Sequence, residues 1–190
     1  MHILLTGFEP WGKSRINPSG EVARALGGHV LPVDYEGAER KILRLILAKK
    51  PDAILMLGLA RRRTRISLEA RARNEDFCGE GPWSRSRRPI RTDGTAFLET
   101  RLPIARLRRR LGEEGIAASL SRDAGRFICN HVFYVALEAA RGPCGFVHLP
   151  PFTALPRSRQ TEAVRILLEA LAAPSGARRS GPPRGRSPRS

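Results

Sequence analysis

Apolar positions along this chain fall into short continuous runs separated by stretches with helical spacing, the pattern of strands buried on both faces alternating with amphipathic helices. His2 to Thr6, Ala53 to Leu57 and the run from Cys144 to His148 are almost wholly apolar and predict buried strands, with Ala53 to Leu57 central. His29 to Val33 predicts a further strand, placed at an edge or bulge by Pro32, which cannot donate to a ladder. Ile116 to Leu120 is a short β-type run. Ile66 to Arg73 alternates Ile66, Leu68, Ala70 and Ala72 with Ser67, Glu69, Arg71 and Arg73, which predicts one strand with a single buried face. A polar face of that kind is unusual for an interior strand.

Helical spacing recurs over Glu36 to Lys50, Leu102 to Leu111, Phe127 to Ala140 and Thr161 to Ala173. Ser19 is a candidate cap for a further helix reaching Leu26. Lys49-Lys50-Pro51 and Gly112 are stop signals. Residues 7–18 read as a turn-rich loop and residues 74–94 as a long one, which in a compact domain is functional or mobile. This alternation argues for an α/β fold, a three-layer αβα sandwich around a mostly parallel or mixed sheet. Past Ala173 the chain is dominated by Pro, Gly, Ser and Arg and cannot build a core. The expected organisation is one folded domain over 1–173 and a disordered tail over 174–190.

Composition changes this picture only slightly. The chain has 190 residues, enough for one ordinary core, and a net charge of +16. Without the five tail arginines the charge is still +11, and ten more arginines lie between Arg61 and Arg91 with few aromatic residues among them for stacking on bases. A solvated basic surface with nonspecific polyanion binding is therefore favoured over a dedicated nucleic-acid site. Cys78, Cys129 and Cys144 are odd in number and lack C-x-x-C spacing, which indicates neither a disulfide framework nor a zinc site. A basic leader segment and a long apolar run are both missing, so the expectation is a cytoplasmic protein without a membrane segment.

The stretch from Ser121 to Asn130 carries the strongest candidate chemistry. It links a β-type run to an apolar helix and puts Cys129 in that helix's first turn, where unpaired N–H groups favour thiolate and are expected to lower the thiol's pKa. His148 ends an apolar strand, where α/β enzymes place their chemistry. A cysteine–histidine pair needs a third group to orient the imidazole, and Glu69, Asp123, Glu9 and Asp76 are the candidates. Glu69 is favoured because an unpaired carboxylate on a buried strand would be costly. Its alternative is a structural ion pair with Arg63 or Arg65. Asp123 fits better as a turn cap, and His131, two residues from Cys129 on a helix, points away from it.

Gly7-Phe-Glu-Pro-Trp-Gly-Lys-Ser14 also matches the phosphate-loop pattern G-x-x-x-x-G-K-[ST]. The physics opposes a nucleotide triphosphatase: Glu9 places a carboxylate in the nest, Pro10 removes a donor, and Pro18 disfavours helix at Asn17.

Four separated segments, in order, resemble the pyroglutamyl peptidase I (pyrrolidone-carboxylate peptidase) family of cysteine peptidases. They are Leu4-Leu-Thr-Gly-Phe-Glu-Pro-Trp-Gly with Asn17-Pro-Ser, then Gly58-Leu-Ala with Arg63 and Ile66-Ser-Leu-Glu69, then Asp123-Ala-Gly-Arg-Phe-Ile-Cys-Asn-His, and Gly145-Phe-Val-His-Leu-Pro. The resemblance implies that Cys129 is the nucleophile, His148 the general base and acid, and Glu69 the orienting carboxylate. It further implies that Phe8, Trp11, Asn17, Phe127 and Ile128 hold a pyroglutamyl ring. Implied as well are cofactor-free and metal-free hydrolysis of pyroglutamyl peptides through a thioester and a homotetrameric assembly. The chain departs from the family pattern at Trp11, Lys13, Arg61, Arg62 and Ala70 and in the loop over 75–91. A catalytically silent relative is the remaining alternative.

Overall fold

The computed structural model describes residues 1–77 and 86–173. The expected domain 1–173 is therefore described apart from 78–85, and the tail lies outside the described residues. Among the described residues, six strands form one mixed sheet in the order β2, β1, β3, β10, β4, β9. These are β1 (Ile3–Phe8), β2 (His29–Leu31), β3 (Ala53–Leu59), β4 (Ile66–Glu69), β9 (Ala118–Ser121) and β10 (Cys144–Leu149). The pairs β1 with β2, β1 with β3 and β3 with β10 are parallel, as is β4 with β9, while β10 and β4 run antiparallel. Two short ribbons stand beside the sheet: β5 (Arg71–Arg73) with β8 (Phe97–Glu99), and β6 (Asp76–Phe77) with β7 (Arg87–Arg88).

Among the described residues, five helices cover the sheet: α1 (Pro18–Ala25), α2 (Tyr35–Lys49), α3 (Ile104–Glu113), α4 (Ile128–Ala139) and α5 (Arg157–Ala172). Strand alternation separates two cores. Leu4, Ile54, Met56 and Phe146 pack with Ile42 of α2 and Val132 to Leu137 of α4. Leu5, Leu55, Leu57, Leu68 and Val147 pack with Val22 of α1, Leu107 of α3 and Val164 of α5. Both faces are covered, so the sandwich has the expected three layers. Among the described residues, no helix is long and apolar enough to cross a membrane.

Several boundaries differ from the expectation for local reasons. α1 is capped by Asn17, whose side chain accepts from Ser19 N–H, with Pro18 at the first helical position. Ser19 lies within the helix, fully buried, and its hydroxyl accepts from Phe8 N–H and donates to Asn17 Oδ1. The strand expected over 66–73 is two. At Ala70 the chain leaves the large sheet and pairs with β8, so Ala72 joins the opposite core from Leu68. All four residues of β4 are buried, its polar face included. α3 runs past Gly112, and Gly115 at φ +67° makes the turn.

The glycine-rich first loop serves packing. A Cβ on Gly7 would overlap the Ser19 carbonyl oxygen, so β1 and α1 touch backbone to backbone. The helix that would follow a phosphate loop begins only at Pro18, with Lys13 in a turn. This geometry leaves no nest at 7–14, and the nucleotide triphosphatase reading falls.

Candidate active site

Strand register brings distant residues onto one face. His148 lies on the same face of β10 as Cys144 and Phe146, and pairs in register with Gly58 of β3. Across the antiparallel pair, Phe146 faces Glu69 and His148 faces Ser67, so Glu69 is diagonal to His148 on that face. Its carboxylate Oε1 lies 2.8 Å from His148 Nδ1. Glu69 is fully buried and His148 is 5% exposed.

α4 lies over this face and delivers Cys129 from its first turn. A Cβ on Gly58 would be 2.8 Å from the Cys129 sulfur and 2.7 Å from the Phe146 ring. The sulfur therefore rests in the gap left by the missing Gly58 side chain, next to the strand position from which His148 projects. Gly58→Ala should lower turnover by one to two orders of magnitude, roughly, while costing about 1–3 kcal/mol of stability through overpacking. Parallel measurement of turnover and melting temperature checks this. Full turnover in the alanine variant would mean that the sulfur's seat does not matter.

Glu69 has a second partner, because Arg63 donates to the same Oε1 at 2.5 Å. Arg63 also donates to Ser121 Oγ and to the Asp123 carbonyl, tying β4 to the turn before α4. The two alternatives for Glu69, a histidine partner or an arginine ion pair, thus coexist. The other candidate carboxylates are engaged elsewhere or exposed. Asp123 accepts from Gly125 N–H as a turn cap, Asp76 lies 2.6 Å from His131, and Glu9 is exposed.

The expected acidification of Cys129 is reversed. Its thiol is pushed up to about 12, first by burial and then by the Glu69 charge. The Cys129 backbone N–H and Arg63 pull the other way and are outweighed. A helix N-terminus offers only about half a charge, whereas the apolar surroundings and a full carboxylate charge both disfavour thiolate.

Cys129 opens onto a cavity of about 430 Å³, large enough for a small ring and part of a chain. All five residues expected at a ring site line it: Phe8, Trp11, Asn17, Phe127 and Ile128. Their contributions differ. Phe8 is buried, while Trp11 and Phe127 are 59% and 57% exposed at the rim. Asn17 uses its amide internally, accepting from Ser19 N–H and Oγ and donating to the Glu9 carbonyl, so it holds the loop over 9–17 closed. Leu59 and Arg61, from the Gly58-Leu-Ala segment and its departure from the family pattern, also line the cavity, as do Val33 and Tyr35, which carried no motif signal.

A second polar cluster went unseen in the sequence. His131 is 5% exposed, with Nδ1 2.6 Å from Asp76 Oδ2 and Nε2 2.9 Å from Glu39 Oε2. Arg91 joins Glu39 to Glu138. These partners come from α2, β6 and a loop, and no local spacing reveals them.

Comparison with known proteins identifies the family. The family model described as pyroglutamyl peptidase matches residues 1–163. A pyrrolidone-carboxylate peptidase of Halalkalibacterium halodurans is 34% identical, over 89% of this chain and 98% of the relative. One from Deinococcus radiodurans is 32% identical, over 94% and 98%. The solved structure of pyrrolidone carboxyl peptidase from the hyperthermophile Pyrococcus furiosus superposes with a TM-score of 0.83 at 30% identity, covering 90% of this chain and 97% of that one. With these two relatives spanned almost end to end, most of its length matched by the family model and its fold superposed on that of a solved member, the chain belongs to the pyroglutamyl peptidase family.

Proposed function

We propose that the protein hydrolyses the amide bond after an N-terminal pyroglutamyl residue, with Cys129 as nucleophile, His148 as general base and acid, and Glu69 as the orienting carboxylate. The observation that carries this is the placement of the Cys129 sulfur over Gly58, beside a His148 whose Nδ1 is bonded to buried Glu69, at the wall of a mainly apolar cavity. Glu69 on Nδ1 leaves Nε2 to take the thiol proton. Sulfur then adds to the scissile carbonyl, and His148 returns the proton to the leaving amine. Collapse gives a pyroglutamyl thioester, and water deprotonated by His148 releases pyroglutamate and restores the thiol. Backbone N–H groups of the first turn of α4, including that of Cys129, are the oxyanion donors in this reading.

The five-membered lactam is small, uncharged and flat, and suits the slot among Phe8, Trp11, Phe127 and Ile128, with Asn17 holding the loop. A thiol nucleophile has to remain reduced, which supports a cytoplasmic location. Homotetramer formation, implied by the resemblance, belongs to the same reading.

The deciding experiment compares release of a fluorophore from a pyroglutamyl amide and from its prolyl counterpart, with acid-quenched intact mass to detect the acyl-enzyme. Release from the pyroglutamyl amide alone, with a pyroglutamyl adduct on Cys129, is expected. No release, or equal release from both, would overturn the assignment.

The tail is proposed to be dispensable, since the family match stops at 163 and α5 at Ala172. A chain ending at Ala173 should keep its turnover within about twofold and its melting temperature within a few degrees, as surface changes generally do. Activity lost from a folded truncated chain would contradict this.

A further inference from the structure

The mouth of the cavity carries a charge that the proposed chemistry leaves unused. Arg61 is exposed, lines the cavity, and holds its guanidinium 5.5 Å from the centroid of the Trp11 ring. It forms no ion pair with a carboxylate among the described residues. Arg62 beside it, and Lys13 and Arg15 on the facing loop, are also exposed. Two carboxylates belong to this end of the molecule: Glu9 is exposed on the loop that carries Trp11, and Asp34, which also lines the cavity, is engaged at the start of α2, accepting from Gly37 N–H at 2.6 Å.

Position along the chain sets what Arg61 can reach. Gly58, against which the Cys129 sulfur rests, lies three residues before Arg61, a span of at most about 10 Å. A neutral ring held in the apolar part of the cavity with its carbonyl at Cys129 directs the following residues out through the mouth. Stacking on Trp11 restricts the guanidinium to that exit, at less entropy loss than a free surface arginine would suffer on pairing.

Resting on the pyroglutamyl-peptidase reading, we propose that Arg61 is a specificity-determining residue that selects substrates with an acidic residue directly after the pyroglutamyl group. The side-chain carboxylate of that residue pairs with the Arg61 guanidinium as it lies across Trp11. An isosteric neutral side chain loses the pair, and a basic one is repelled.

The test measures kcat/KM for three otherwise identical short peptides in which pyroglutamate is followed by glutamate, glutamine or lysine. Wild type should prefer glutamate over glutamine by about two- to fivefold, the size of one exposed ion pair, and should disfavour lysine. Raising the salt from low to molar concentration should bring all three ratios towards one. Arg61→Gln should remove the preference, and Arg61→Glu should reverse it in favour of lysine, a swap that loss of local structure cannot produce. Peptide turnover with no glutamate preference, or a preference that survives Arg61→Gln, would overturn the role of Arg61 and leave the peptidase reading standing. Absence of turnover with all three peptides would remove both.

Discussion

Cys129→Ala is expected to reduce turnover of a pyroglutamyl amide by at least about 10⁴-fold, with the melting temperature changed by no more than a few degrees. The reaction as proposed has one covalent intermediate, and the alanine variant can form none. Little structure depends on the sulfur, which lies over Gly58 at the cavity wall. Because burial and Glu69 hold the thiol at about 12, the resting site carries a neutral thiol at neutral pH. A raised pKa keeps the neutral form until the pH approaches it, so alkylation of the free enzyme should keep accelerating above pH 9, where an unperturbed thiol would level off. Thiolate arises in turnover only as the proton passes to His148. Cys129→Ser should be nearly as inactive, because an alcohol gives up its proton still less readily. A variant retaining more than about a hundredth of wild-type turnover would remove Cys129 from the reaction.

The architecture was legible because its strands are buried on both faces and read as continuous apolar runs. Ala53 to Leu57 and Cys144 to His148 lie side by side at the middle of the sheet. Boundaries were less legible where a residue serves two elements. Ser19 has the chemistry of a cap, yet Asn17 precedes Pro18, and the proline fixes the first helical position, which gives Asn17 the role. The alternation continues across the break because Ala72 is buried in one core as Leu68 is in the other, so periodicity alone could not show the chain changing partners.

The site was legible as residues and less so as energetics. Cys129, His148 and Glu69 each sit beside a distinctive local run, and the antiparallel pairing of β10 with β4 brings the last two into contact. The direction of the thiol's shift was not readable, since it depends on how much apolar surface encloses the sulfur and on a carboxylate far away in sequence. The same limit hid the placement of Arg61 over Trp11 and the His131 cluster, whose partners meet only after folding.

Glu69→Gln is expected to lower turnover by about 10²- to 10⁴-fold while making the Cys129 thiol more acidic. These opposite effects follow from one charge. The Glu69 carboxylate orients His148 through Nδ1 and stabilises the imidazolium formed when the thiol proton arrives, so its neutralisation raises the barrier to that transfer. It is also the second cause of the raised Cys129 pKa, so its removal leaves burial acting against the backbone N–H and Arg63. The alkylation profile of the free enzyme should therefore move to lower pH even as catalysis fails. Stability should fall by only about 1–2 kcal/mol, because the substituted amide can still accept a hydrogen bond and Arg63 keeps Ser121 and Asp123 as acceptors. If Glu69 served only as the structural partner of Arg63, the melting temperature would drop first and turnover would follow it in proportion. Turnover that is undiminished in the folded glutamine variant, or an alkylation profile that moves to higher pH, would exclude the orienting role.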